Sequence, residues 1–173
     1  LINQNKVACI IIEPIQAEGG DNHFREEFLV KLREICDQNE ILLIFDEVQT
    51  GVGLTGKMWA FQHFNVVPDI ISFGKKAQVC GVLANKEKFD EVELNVFTES
   101  SRINSTFGGN FIDMLRFQLV MEVIEKENLV ENAAVVGNYL LNGLIALSQK
   151  YPDKISNARG RGLMCAIDLP SGD

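Results

Sequence analysis

Apolar residues 41–45 (ILLIF) stand in one uninterrupted run, with no polar alternation, and stop at Asp46 and Glu47. That pattern reads as a strand buried on both faces, as in a parallel sheet. A second run of the same kind, 7–12 (VACIII), ends at Glu13 and Pro14, where proline stops a ladder. Between them, Phe24, Phe28, Leu29, Leu32, Ile35 and Cys36 recur at helical spacing, with Lys31, Arg33, Glu34 and Asp37 on the opposite face. Strand, helix and strand of these lengths predict a βαβ unit with parallel strands. A third strand is predicted over 69–73, ending at Gly74, Lys75 and Lys76, and a fourth over 79–84. Residues 58–64 predict a short amphipathic helix, and 86–90 a surface turn or short helix. Longer helical spacing covers 111–126 and then 130–149, with Pro152 as the stop. Residues 159–162 (RGRG) read as a turn into a last strand over 163–167. No internal repeat interrupts this order.

Composition narrows the class. The 173 residues are 46% apolar and 23% charged, ordinary values for a globular α/β domain with a real core. A net charge of −8 argues against a nucleic-acid or anionic-membrane surface. No apolar run approaches the roughly 20 residues of a membrane helix. The cysteines Cys9, Cys36, Cys80 and Cys165 are far apart, form no CxxC pair and lie in apolar stretches. They predict buried reduced thiols and a cytoplasmic location. Both ends of the sequence read as cut from something longer.

Chemistry concentrates at strand ends, where ligands of open α/β sheets sit. Asp46 ends one strand and Lys75 follows the next, so the two should face one crevice. A lysine that forms an imine with an aldehyde, and an acid that keeps a ring nitrogen protonated, suit pyridoxal phosphate. An opposite charge that close shifts a pKa by about one to three units toward the charged form. Burial and the neighbouring Lys76 are expected to press the Lys75 amine toward its neutral form. Taken singly, Asp46 reads better as a helix-capping residue and Lys75 as a surface lysine; the pairing at successive strand ends reverses that.

Nucleotide hydrolysis is a rival reading, because residues 51–57 (GVGLTGK) match G-x-x-x-x-G-K. Yet Met58 occupies the place of the hydroxyl that the metal needs, and no strand precedes the loop. The same loop contains G-x-G-x-x-G and fails as a dinucleotide site for the same reason. His23 and His63, placed on predicted helices, lack ligand-spaced partners and read as surface or packing residues, so no metal site is expected. Glu122, Glu125, Glu127 and Glu131 read as a solvated helix face.

Residues 13–20 (EPIQAEGG), 44–51 (IFDEVQTG) and 68–75 (PDIISFGK) together resemble the successive motifs of the class III pyridoxal-phosphate aminotransferases. Residues 74–81 (GKKAQVCG), 102–110 (RINSTFGGN) and 159–166 (RGRGLMCA) are similar to the lysine-specific branch of that family. The resemblance implies a fold type I large domain, a mostly parallel sheet between helices, over residues 1–126. A connecting helix and the start of a small C-terminal domain would follow over 127–173. It implies that Lys75 carries the cofactor imine and moves the proton, and that Asp46 binds the pyridinium nitrogen. Val48 would pack on the ring and Gln49 would bond its phenolic oxygen. Ser105 and Thr106 would reach the cofactor phosphate of a second subunit in a homodimer with shared sites. Glu18, with Asn104 nearby, would handle the charge difference between a lysine-type donor and 2-oxoglutarate. The implied reaction moves the ε-amino group of L-lysine to 2-oxoglutarate, giving 2-aminoadipate 6-semialdehyde and glutamate. An ornithine or 4-aminobutyrate enzyme of the same class, or a non-catalytic domain of the same fold, remains open. Family members are more than twice this length, and neither the upstream phosphate loop nor the downstream carboxylate-binding arginine is in this stretch. The 173 residues alone are therefore expected to be catalytically silent.

Overall fold

The computed structural model describes residues 7–103, 106 and 108–170. Its centre is a four-stranded sheet of β1 (Cys9–Ile12), β4 (Leu42–Asp46), β5 (Ile70–Phe73) and β6 (Gly81–Ala84), in that spatial order. β1, β4 and β5 run parallel, and β6 is an antiparallel edge paired Phe73 to Gly81. The helix α1 (Glu26–Gln38) crosses from β1 to β4 and supplies the expected βαβ unit.

Burial along β4 alternates. Ile41, Leu43 and Phe45 are buried, whereas Leu42 and Ile44 are only half-buried. The expectation of a strand covered equally on both faces is thus corrected: one face packs on Leu29 and Cys36 of α1 and on Ile15, Phe64 and Val66, and the other is partly open. Each fully buried side chain of this kind contributes about 1.5–3 kcal/mol.

Residues 15–21, whose two glycines suggest a loop, and the following Asn22 and His23 form a two-stranded hairpin of β2 (Ile15–Gln16) and β3 (Asn22–His23), so His23 lies on a strand and not on a helix. The helix predicted over 58–64 shortens to a 3-10 turn at Ala60–His63. The buried Glu47 takes up the amides of Ala60 and Phe61, at 2.7 and 2.9 Å, that a longer helix would use otherwise. α2 (Lys86–Asp90) is a short helix, and α3 (Phe111–Lys126) and α4 (Leu129–Lys150) follow as predicted. Between them Asn128 takes a left-handed conformation, φ 51°, that breaks the chain into two helices. α4 is long and apolar enough to cross a membrane by length and composition, although Glu131, Asn132, Asn138 and Asn142 interrupt its apolar residues. In the fold it packs on β7 (Ser156–Arg161), which the sequence reading had folded into a turn, and on β8 (Met164–Asp168), its antiparallel partner.

Two of the thiols depart from expectation. Cys36 is buried and Cys165 half-buried, but Cys9 and Cys80 are exposed, and all are free.

Candidate functional site

Because β4 and β5 are parallel, their carboxyl ends lie at the same edge of the sheet. The register pairs Asp46 with Ser72, and the next amide bond, Glu47 N–H to Ser72 O at 2.9 Å, continues the ladder. Lys75 follows three residues past Ser72 in a 3-10 turn, Lys75–Ala77. Gln78 closes that turn: its side-chain amide donates to the Lys75 carbonyl at 2.9 Å.

The Asp46 carboxylate is half-buried, and one oxygen, Oδ1, is held from two sides. The Val48 amide donates to it at 3.0 Å and the Ser72 hydroxyl at 3.2 Å. The second oxygen makes no hydrogen bond to a described residue. Lys75 is exposed, against the expectation of a buried amine. Its neighbour Lys76 is the half-buried amine and donates to the Gln49 carbonyl. Burial and the adjacent Lys75 charge push the Lys76 pKa below the usual lysine range, against the pull of Glu47. Glu47 itself is buried, and desolvation raises its pKa above the usual carboxylate range despite hydrogen bonds from Phe61, Ala60 and Thr50. It anchors the loop that follows β4; that role depends on contacts with residues 13 and 14 positions away and had no local signal.

Two clefts flank this segment. One, of about 480 Å³, is lined by Val48, Gly74, Lys75, Cys80, Gly108 and Asp113. The other, of about 430 Å³, is lined by Glu18, Gln49, Leu163 and Cys165 among others. Both volumes suit small-molecule sites. Adjacent residues Val48 and Gln49 thus serve different clefts, while Asp46 lines neither. Thr106 is exposed, and Gly108 of its loop borders the Lys75 cleft. Asn104 and Ser105 lie outside the described residues.

A pyridoxal-type group needs an amine for its aldehyde, an anion for its ring nitrogen, an apolar surface for its ring and donors for its phosphate. Lys75, a free oxygen of Asp46, Val48 and the glycine-bearing 106–110 loop offer these around one edge of the sheet. His23 and His63 offer no metal site. Burial and the Arg161 charge lower both imidazole pKa values, with Arg159 adding to the effect at His23 and Lys57 at His63, and His63 bonds Thr55 at 3.0 Å. No group of three or more metal-ligating side chains occurs among the described residues.

The model of the class III aminotransferase family matches residues 2–173. The chain belongs to the class III aminotransferases. Among curated class III relatives, L-lysine-epsilon aminotransferase of Mycobacterium tuberculosis is 55% identical over 165 residues, 95% of this chain and 36% of the relative. The 4-aminobutyrate aminotransferase of Dictyostelium discoideum is 42% identical over 167 residues, 95% of this chain and 32% of the relative. A solved structure of lysine aminotransferase from M. tuberculosis in the internal aldimine form superposes with a TM-score of 0.89 at 56% identity, covering 94% of this chain and 37% of that one. The chain therefore spans about a third of the length of these class III proteins, and the α/β fold expected from the sequence is that of the family.

Proposed function

We propose that these residues are the cofactor-binding segment of a pyridoxal-phosphate-dependent aminotransferase. It moves the ε-amino group of L-lysine to 2-oxoglutarate, giving 2-aminoadipate 6-semialdehyde and glutamate. The observation that carries the reading is Lys75 and Asp46 at neighbouring carboxyl ends of parallel strands, in a chain 55% identical to a lysine-epsilon aminotransferase. When bound, pyridoxal phosphate supplies an aldehyde for the amines and a ring that accepts electrons from the carbon losing its proton.

The chain's own groups do the rest. Lys75 Nζ would hold the group through its aldehyde and would serve as the base that takes and returns the proton at the substrate carbon. Asp46, held through Oδ1, would offer its other oxygen to the ring nitrogen and favour its protonated form. Val48, which lines the Lys75 cleft, would support one face of the ring; Gln49, on the neighbouring cleft, would have to turn toward it to bond the phenolic oxygen. Thr106 and Ser105 would bind the phosphate across a homodimer. Glu18, with Asn104, meets the end of the substrate that is cationic or neutral in one half-reaction and anionic in the other. Residues 1–126 belong to the large domain and 127–173 begin the small one.

The test uses the full-length protein with lysine, ornithine and 4-aminobutyrate as donors and 2-oxoglutarate as acceptor. Lysine is expected to give the highest kcat/KM; preference for another donor reassigns the substrate within class III. Borohydride reduction with pyridoxal phosphate should label Lys75, and absence of label there overturns the assignment of the site.

A further inference from the structure

The turn that carries Glu18 is not held by its own hairpin alone. Locally, the amides of Gly20 and Asp21 bond the Ala17 carbonyl at 3.1 and 2.9 Å, and Asn22 bonds the Gln16 side chain at 2.6 Å. Asp21 sits at φ 49°, a left-handed position that aspartate adopts more readily than most residues with a side chain, and a group outside the turn also holds it.

Arg159, on β7, does so. Its Nε donates to the Asp21 carbonyl at 2.7 Å and its Nη2 to the Gly20 carbonyl at 3.1 Å. The same guanidinium donates through Nη1 to the Asn157 carbonyl at 2.9 Å and to Asp168 of β8 at 2.8 Å. One planar fork thus joins a turn near the start of the chain to a hairpin 138 residues later. The acceptors in the turn are main-chain carbonyls, so the contact fixes backbone position whatever side chains the turn carries. Leu163 and Cys165, at the start of the β7–β8 return, line the cleft that Glu18 also borders. Arg159 therefore sets the separation of the two walls of that cleft.

We infer that Arg159 is a positioning residue: it fixes Glu18 against the β7–β8 hairpin and so tunes recognition of the distal end of the amino donor. This rests on the reading of Glu18 given above. A lysine replaces it only in part, because a single ammonium does not span three carbonyls and a carboxylate as a guanidinium fork does.

The experiment uses the full-length protein with Arg159→Ala, Arg159→Lys, Glu18→Gln and the Ala/Gln double variant. It reads KM and kcat for the donor, absorbance of the bound cofactor, and hydrogen exchange at the amides of residues 17–22. Arg159→Ala is expected to raise donor KM about tenfold with kcat changed less than about threefold. It should speed exchange at Gly20 and Asp21 and leave the cofactor absorbance unchanged; Arg159→Lys should restore only part of the KM. Added to Glu18→Gln, Arg159→Ala should raise donor KM no further. Wild-type exchange and KM in Arg159→Ala, or additive effects in the double variant, overturn the inference. Should Glu18→Gln leave donor KM unchanged, the Glu18 reading fails; faster exchange in Arg159→Ala then still upholds the clamp, and wild-type exchange removes it too. If Arg159→Ala does not fold, Asp168→Asn, which replaces the carboxylate facing the guanidinium with a neutral amide, should shift KM and exchange the same way by less.

Discussion

Asp69 shows how one buried charge organises its surroundings. It is 4% exposed and accepts from Lys88 Nζ at 2.6 Å, the Leu43 amide at 2.7 Å and Arg33 Nη1 at 2.9 Å. It thereby ties α1, β4 and α2 to the entrance of β5. Burial pushes its pKa up, but the Lys88, Leu43 and Arg33 contacts outweigh that and hold it below the usual aspartate value. A lowered folded-state pKa stabilises the fold above the unfolded carboxylate range, and the contribution drains away as pH falls through the folded value. Asp69→Asn should cost about 3 kcal/mol at neutral pH, since it removes the buried anion that Arg33 and Lys88 share and leaves Arg33 with Asp37 alone. The deficit should narrow from about pH 5 downward, read by urea unfolding across pH. Ser72 makes a smaller claim of the same kind. Ser72→Ala removes one of the two donors to Asp46 Oδ1, and the full-length protein should hold pyridoxal phosphate about three- to tenfold less tightly by equilibrium dialysis, with Ser72→Thr near wild type.

At the scale of elements, the β7–β8 turn is wedged between α4 and the glycine-rich loop. A Cβ on Gly162 would fall 2.3 Å from the Thr55 carbonyl carbon, and one on Gly137 of α4 would fall 2.0 Å from Gly162 O. Gly56, in turn, lies against Ala134 of α4 at a distance that leaves no room for a side chain. In the 51–57 loop that imitates a phosphate loop, Gly53 and Gly56 pack against Val130 and Ala134 of α4, and Gly51 against Trp59 and the Glu47 carbonyl. Gly162→Ala, also strained at φ 55°, should lower stability by about 1–3 kcal/mol, measured by thermal unfolding. The sequence made β1, β4 and β5 legible because each is a short, mostly apolar stretch between polar or turn-forming residues, although β1 has no buried residue, contrary to the expectation of a strand buried on both faces. β7 was illegible because SNARGR carries no strand pattern; pairing with β8 and the reach of Arg159 and Arg161 into the first half of the chain make it a strand. Lys75 and Asp46 could be read as strand-end chemistry, whereas Glu18 and Thr106 drew their roles from family likeness alone. The anchoring by Glu47 and Asp69 depends on partners many residues away, which no local window contains.

On the scale of the whole molecule, apolar surface is left uncovered in an organised way. Phe111, Leu115 and Leu119 recur every four residues along α3, with Phe111 87% exposed, and so form one stripe. Ile11 of β1 is 62% exposed, and β4 is open on one face. Contiguous apolar patches beyond a few hundred Å² are rare on soluble monomers and mark contact surfaces. The chain spans 36% of its curated lysine-epsilon relative. The 173-residue polypeptide by itself should therefore bind an apolar dye, and its apparent mass should rise with concentration in sedimentation. It should give no steady turnover with lysine and 2-oxoglutarate. Leu115→Glu combined with Leu119→Glu should lower the association and leave the unfolding temperature within a few degrees, because neither side chain packs inside the fold. A polypeptide that stays monomeric and dye-free at all concentrations would show instead that the α3 stripe tolerates water and serves no contact.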